Sequence, residues 1–144
     1  MPRTRRHRLL QTAPEPLWQV VSDPHHLARW WPRVTRVESV EGGRFTAVMA
    51  TDRGRIVRAD QRVVDSEPPT RVRWAQELDG TPFARILRNA QTAVLLEPSS
   101  QGTRVTVELD QRLRGMARFG GFMVRRAARR QLDQALDGLE RLHV

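Results

Sequence analysis

Residues 103–113, TRVTVELDQRL, alternate between apolar and polar side chains over their whole length. One face carries Val105, Val107, Leu109, Gln111 and Leu113, and the other carries Arg104, Thr106, Glu108, Asp110 and Arg112. A period of two residues is typical of a β-strand with one buried face. The pattern therefore predicts an antiparallel strand whose apolar face needs a packing partner and whose polar face meets water.

The stretch after Gly115 has the periodicity of a helix instead. Its apolar positions, spaced three to four residues apart, are Met116, Phe119, Met123, Ala127, Leu132, Leu136 and Leu139. A long amphipathic helix has to bury its apolar stripe, and the apolar face of the strands is the available surface. Gly120 and Gly121 lie inside this predicted helix at a cost of about 1 kcal/mol each, which indicates close packing, flexibility or ligand access.

Turn-forming residues divide the middle of the chain into segments of strand length. The turns fall at 41–43, 51–54, 66–70, 78–82 and 97–102. Within RVRWAQEL, Val72, Trp74, Gln76 and Leu78 share one face, and residues 3–10 are predicted to form a first strand. The predicted order is a strand, two short helices, about six antiparallel strands and one long helix, in a single domain over residues 1–144.

The two short helices lie between residues 13 and 32. Leu17, Trp18, Val20 and Val21 recur at helical spacing in the first. Asp23 is a predicted N-cap with Pro24 at the first helical position, and Leu27, Trp30 and Trp31 form the apolar side of the second helix. Pro32 disfavours a helical conformation at Trp31 and turns the chain into the next strand.

Composition excludes several kinds of chemistry. The chain has no cysteine, and its 25 Lys and Arg residues are all arginine, so disulfides, thiolates and lysine Schiff bases are absent. The formal net charge is +9, with dense arginine at Arg3–Arg8 and Arg125–Arg130. Because the other arginines are interspersed with acids, we interpret the charge as a solvated basic surface rather than a nucleic-acid site.

Location and metal binding follow from similar patterns. No apolar run approaches the ~20 residues of a membrane span, and no apolar core follows the arginines near residue 5, so we predict a cytoplasmic bacterial protein. His25 and His26 project about 100° apart on a helix, which is unsuited to chelating one ion, and no metal site or cofactor is predicted.

The region APEPLWQVVSDPHHLARWWPRVTRVE resembles the START-like superfamily, also called SRPBCC or polyketide cyclase/dehydrase-like. The matching positions are Ala13, Pro14, Leu17, Trp18, Val20, Val21, Asp23, Leu27, Trp30 and Pro32. The segment GTPF at 80–83 and the last helix resemble an actinobacterial-type branch. The resemblance implies an α+β helix-grip fold, in which a curved antiparallel sheet of about seven strands wraps the C-terminal helix around a ligand cavity.

The cavity that the resemblance implies suggests a set of lining residues. We expect ligand-binding positions at Trp31, Phe45, Met49, Trp74, Gln76, Met116, Phe119 and Met123. Trp30 is predicted to be a core residue, with Trp31 nearer the cavity rim or the surface. Arg126 and Arg130 flank the helical stripe and are expected to pair with sheet carboxylates such as Glu108 or Asp110.

Three functions are compatible with these features. The first is binding of a small hydrophobic or amphipathic ligand, such as a lipid, a polyketide or a quinone-like molecule. The second is a polyketide cyclase or dehydratase acting in the same cavity, with candidate polar residues Arg73, Arg85, Arg88, Gln76 and Gln91, although the chain lacks Tyr and no acid–base pair is identified. The third is an interaction protein that uses its basic surface on RNA, the ribosome or a membrane.

Overall fold

One antiparallel sheet of seven strands forms the frame of the structure, a computed structural model that describes residues 3–115 and 120–142. The strands are β1 (Arg3–Leu10), β2 (Val34–Glu41), β3 (Arg44–Ala50), β4 (Ile56–Glu67), β5 (Arg71–Gln76), β6 (Leu87–Ser99) and β7 (Gly102–Leu113). Their spatial order is β1-β7-β6-β5-β4-β3-β2, so β1 and β2 are the edges. Successive strands from β2 to β7 are neighbours; short turns join them except between β5 and β6, where residues 77–86 form a longer connection.

The helices follow the predicted order, and the predicted N-cap is present. They are α1 (Pro14–Val21), α2 (Leu27–Trp30) and α3 (Gly121–Arg141), with single 3₁₀ turns at Pro24–His26 and Pro82–Arg85. The Asp23 side chain accepts a hydrogen bond from the His25 backbone amide at 3.0 Å, which confirms the predicted N-cap. The predicted helix-grip α+β arrangement is therefore confirmed.

Helix α3 packs against only one side of the sheet. Its partners are β1, β7 and α2, while α1 lies near β6. Leu132, Leu136 and Leu139 are buried as predicted, together with Ala128 and Ala135. We call the face of the sheet that packs against α3 the inner face. Because α3 covers β1 and β7, the inner face of the central strands is left to the short helices.

The first half of α3 departs from the sequence prediction. The helix begins at Gly121 with Gly120 as its N-cap, so these glycines start the helix instead of interrupting it. Met123 and Ala127 are exposed, and burial begins at Ala128. The predicted stripe was wrong here because apolar residues continue along the sequence beyond the part of the helix that has a packing partner.

The outer face of β7 is also different from the prediction. Thr106, Glu108 and Asp110 are buried, with 5% of Glu108 exposed, although the alternation predicted a wet face. The cause is the position of β7 between β1 and β6. The Arg5 guanidinium extends across from β1 and donates to the Glu108 carboxylate at 2.5 Å, and Arg3 reaches Asp110 at 3.4 Å.

Strand β1 divides its arginines between the two faces. Arg6 and Arg8 point inward, where Arg6 donates two hydrogen bonds to Asp133 at 2.9 and 3.1 Å and Arg8 donates to Asp137 at 2.6 Å. Arg5 points outward to the acids of β7. Because successive side chains of a strand point to opposite faces, β1 forms ion pairs both with α3 and with β7.

Candidate functional site

A cavity of about 200 Å³ lies on the inner face of the sheet, bordered by β2 to β7, α2, the 3₁₀ turn at Pro82–Arg85 and one residue of α3. It occupies the area that α3 leaves open over the central strands. Its apolar lining residues are Leu27, Trp31, Val34, Ala47, Met49, Trp74, Phe83, Leu87, Ala90 and Leu109. Its polar lining residues are Gln61, Gln76, Gln91, Thr92, Gln111 and Gln131.

Indole rings form one wall of the cavity. Trp31 ends α2 with an extended backbone (ψ 131°), and this turn before Pro32 leaves its ring facing Trp74. The Trp31 and Trp74 ring centroids are 6.3 Å apart in an edge-to-face arrangement, and Trp30 lies 5.4 Å from Trp31. Edge-to-face aromatic pairs at these distances are favourable and hold each ring in a defined orientation. The wall therefore consists of two indole rings held at 73° to each other.

Amide side chains make up most of the polar lining of the same cavity. Gln61, Gln76 and Gln111 occupy inward positions on β4, β5 and β7, and Gln131 comes from α3. Gln91 is the exception, because its neighbours in β6 point inward and its own side-chain oxygen accepts from Arg73 at 3.4 Å. Four glutamines from four elements thus converge on one small space.

One of these amides has no partner. The Nε2 atom of Gln76 is buried and makes no hydrogen bond within the part of the chain that the structure describes. A buried amide N–H group without a partner is destabilising, and such groups are rare in folded proteins. Gln76 therefore presents an unused donor beside the indole wall.

The predicted site residues fall into three groups. Trp31, Met49, Trp74 and Gln76 line the cavity together. Phe45 does not line it; the ring packs behind Trp74, with the two centroids 6.4 Å apart. Met116 and Phe119 lie outside the described residues.

The expectation for Met123 is corrected. Its side chain is 74% exposed and does not border the cavity. Met123, Ala127 and Gln131 are spaced four residues apart and share one side of α3, so Met123 lies two turns before the only α3 residue that borders the cavity among those described. Met123 is therefore on the same side of α3 as Gln131, but it lies outside the cavity.

Several lining residues were missed by sequence reasoning. Gln61 and Gln131 had no role in the predicted site, and Gln111 was recognised only as an inward position of the β7 strand. A polar residue at an inward position of a strand was the available signal for Gln61 and Gln111. Phe83 and Leu87 follow an irregular segment, so no periodicity indicated where they lie.

The arginines of α3 do not pair as expected. Glu108 and Asp110 bind Arg3 and Arg5 of β1 instead of Arg126 or Arg130. Along residues 3–115 and 120–142, neither Arg126 nor Arg130 forms an ion pair. The error arises because the outer face of β7 is on the side of the sheet away from α3.

The adjacent histidines form a small polar cluster with the helix cap. His25 Nδ1 lies 2.9 Å from one oxygen of Asp23, and His26 Nε2 lies 3.7 Å from the other. Burial alone raises the pKa of Asp23, but hydrogen bonds from His25 and the charges of both histidines hold the pKa of that carboxyl below its usual value. No group of three His, Asp or Glu side chains suited to a metal ion occurs among residues 3–115 and 120–142.

The fold of this chain is shared with several solved structures. A START superfamily protein from Mycobacterium smegmatis matches with a TM-score of 0.78 at 14% identity, over 96% of this chain and 94% of that chain. A protein from Chromobacterium violaceum matches with a TM-score of 0.77 at 22% identity, over 99% and 97%. The di-domain ARO/CYC protein BexL from the BE-7585A biosynthetic pathway has a TM-score of 0.81 at 20% identity, over 98% of this chain and 46% of that one.

Sequence comparison identifies the family of the chain, whereas these structures show only its fold. No curated protein sequence matches it significantly. None of the helices that the structure describes is long and apolar enough to cross a bilayer. The sequence profile described as polyketide cyclase/dehydrase and lipid transport matches residues 1–144, and the chain belongs to that family.

Proposed function

We propose that this protein binds a small hydrophobic or amphipathic molecule in the cavity between the sheet and α3. The observation that carries the proposal is the combination of an indole wall with inward-facing amides around a partly open cavity. Ligand sites are mostly apolar with a few placed polar groups, which describes this lining. A ligand of the family's hydrophobic class, whether quinone-like, polyketide-derived or lipid, is the expected occupant.

The volume favours a compact ligand over a long acyl chain. Drug-sized ligands occupy pockets of about 300–1,000 Å³, and an apolar cavity of about 150 Å³ is large enough for benzene. The 200 Å³ of this cavity lies near the lower value. We therefore expect one or two rings, or a short chain, at this site.

Native mass spectrometry of freshly purified protein tests this proposal. The expected result is a bound small molecule that is lost from Ala90→Phe, because Ala90 lines the cavity and a phenyl ring would fill it. Ala127→Phe is the matched control, since Ala127 is exposed on α3. Equal ligand occupancy in the wild type and in a folded Ala90→Phe variant would reject this cavity as the site.

A cyclase or dehydratase activity in the same cavity is the second candidate. It is supported by the family's description and by the fold shared with the ARO/CYC protein BexL. We place it second because the lining residues that the structure describes are apolar residues, amides and Thr92, with no acid, histidine or arginine among them. Recovering a bound polyketide unchanged after incubation supports the binding function, whereas loss of water from it supports the enzyme.

Binding of RNA, the ribosome or a membrane through the basic surface comes third. The arginines of β1 are largely occupied by ion pairs with β7 and α3, which lowers their availability to phosphates. The test is RNA affinity at about 50 and 200 mM salt, since a protein making 6–10 phosphate contacts loses about 10³-fold or more in affinity over this range.

Four further expectations stay predictions: the single domain over residues 1–144, the bacterial origin, the actinobacterial-type branch and the cytoplasmic location.

A further inference from the structure

Gln76 has the features of a ligand-binding group rather than a structural one. Its Nε2 atom is buried without a hydrogen bond inside the described parts of the chain, and its residue borders the cavity. Gln76 lies opposite Gln61 of β4 and two residues after Trp74 on the same face of β5. The unused N–H donor is therefore adjacent to Trp74, one of the two rings of the indole wall.

The chemistry of an N–H donor selects an acceptor on the ligand. A carbonyl or ether oxygen accepts one hydrogen bond from an amide and satisfies it, whereas a hydrocarbon leaves it unsatisfied. Sites built to hydrogen-bond a ligand reject analogues that lack the partner atom, because the buried polar group is then left unpaired. A carbonyl group is thus expected on the ligand edge that faces Gln76.

Charge is the second selective feature. Among the lining residues that the structure describes there is no arginine, although the whole chain has a net charge of +9. A carboxylate entering this space would lose its water shell without meeting a cation, which is strongly unfavourable. Arg6 and Arg8 of β1 could attract an anion, but they form ion pairs with acidic side chains of α3 instead.

We propose that the cavity selects uncharged, flat molecules of one or two rings with a carbonyl oxygen, and that Gln76 Nε2 donates to that oxygen. This inference rests on the proposed binding function and refines it. The site would thus discriminate against anions although the whole chain carries a net charge of +9.

Three naphthalene derivatives of similar size test the proposal by isothermal titration calorimetry. They are 2-acetylnaphthalene, which has a neutral ketone, 2-ethylnaphthalene, which has no oxygen, and 2-naphthoate, which has a charged carboxylate. We expect 2-acetylnaphthalene to bind about 5–10-fold more tightly than 2-ethylnaphthalene, as one hydrogen bond provides, and 2-naphthoate to bind at least about tenfold more weakly than the ketone.

Variants then assign the donor. Gln76→Met, which keeps the shape and removes the amide, is expected to lower the affinity for 2-acetylnaphthalene to that for 2-ethylnaphthalene and to leave the latter unchanged. Gln19→Met is the control, because Gln19 is exposed on α1. If Gln76→Met does not fold, the comparison of three probes on the wild type decides the ligand class by itself.

The outcomes separate the two proposals. Equal binding of all three probes, or tighter binding of 2-naphthoate, would overturn the selectivity while the binding function stands. An unchanged ketone affinity in Gln76→Met would overturn the role of Gln76. Failure of all three probes to bind overturns this inference, and the binding function then depends on whether native mass spectrometry detects a ligand that Ala90→Phe loses.

Discussion

Gly138 of α3 lies directly against the backbone of Trp30. A Cβ atom placed on Gly138 would be 2.3 Å from the Trp30 carbonyl oxygen and 2.8 Å from its Cα atom. Real Cβ atoms do not approach backbone so closely, so any side chain at position 138 would push α3 away from α2. Since Trp31 is the next residue, this contact sets where the indole wall stands relative to the helix.

Replacing this glycine tests the contact. Gly138→Ala is expected to lower the free energy of unfolding by about 1–3 kcal/mol, the usual cost of overpacking, even though alanine is the better helix former. Gly121→Ala, also on α3, has open space at its Cβ position and is expected to cost nothing. Urea denaturation of the two variants measures the difference, and equal stability would contradict the close packing of α2 and α3.

The two adjacent tryptophans are expected to differ in their contribution to stability. Trp30 is 3% exposed within the core, and Trp30→Ala should cost about 3–5 kcal/mol. Trp31 is also buried but borders the cavity, so it has fewer packing partners to lose and Trp31→Ala should cost less. Denaturant unfolding checks this order. An unchanged melting temperature in Trp30→Ala, or a larger loss in Trp31→Ala, would show that the interpretation is wrong.

The ion pair between Arg5 and Glu108 should contribute more than an exposed pair does. The Glu108 carboxylate is buried, and Arg5→Met leaves it with only Arg3, whose nearest nitrogen is 4.0 Å away. We expect a loss of about 1–2 kcal/mol, between the values for exposed and fully buried pairs. Arg104→Met replaces an exposed arginine on β7, the strand of Glu108; it is the control and should have little effect. Thermal unfolding of the two variants at one pH makes the comparison.

The lowered pKa of Asp23 predicts a pH-dependent stability. A carboxyl whose pKa is lower in the folded state stabilises the protein above its unfolded value of about 4, and this contribution is lost as the pH falls through the folded value. Asp23→Asn keeps an N-cap and removes the charge, so it should be less stable than the wild type at about pH 6.

The difference between Asp23→Asn and the wild type should shrink as the pH falls below about 4. Asp79→Asn removes one exposed negative charge elsewhere and serves as the control for net charge. Melting temperatures measured across this range decide the question. A gap that stays constant with pH would mean that the charge of Asp23 does not stabilise the fold.

The sequence was sufficient for those elements whose burial follows their own periodicity. The strand 103–113, the cap at Asp23 and the stripe Leu132–Leu139 were predicted because each pattern is local. Glu108 was misassigned to water because its burial depends on an arginine 103 residues away in the chain. Met123 was misplaced because apolar spacing does not reveal where the packing partner of a helix ends.

The candidate site was predictable to a similar degree. Trp74 and Gln76 followed from strand parity, and Trp31 from the proline after it. Gln61 and Gln131 belong to elements that are far apart in the chain, and their meeting at one cavity depends on sheet order and helix placement. An inward glutamine is unremarkable on one strand and becomes informative only when four elements present one together.

The placement of β1 has a consequence for how the chain is made on the ribosome. Its only strand neighbour is β7, and its ion pairs reach residues 103 positions onward in β7 and 129 onward in α3. Strand β1 is therefore synthesised well before β7, and it stays unpaired while the ribosome makes the central strands. Its alternating arginines keep that waiting segment charged on both faces, which protects a lone strand from joining the wrong sheet.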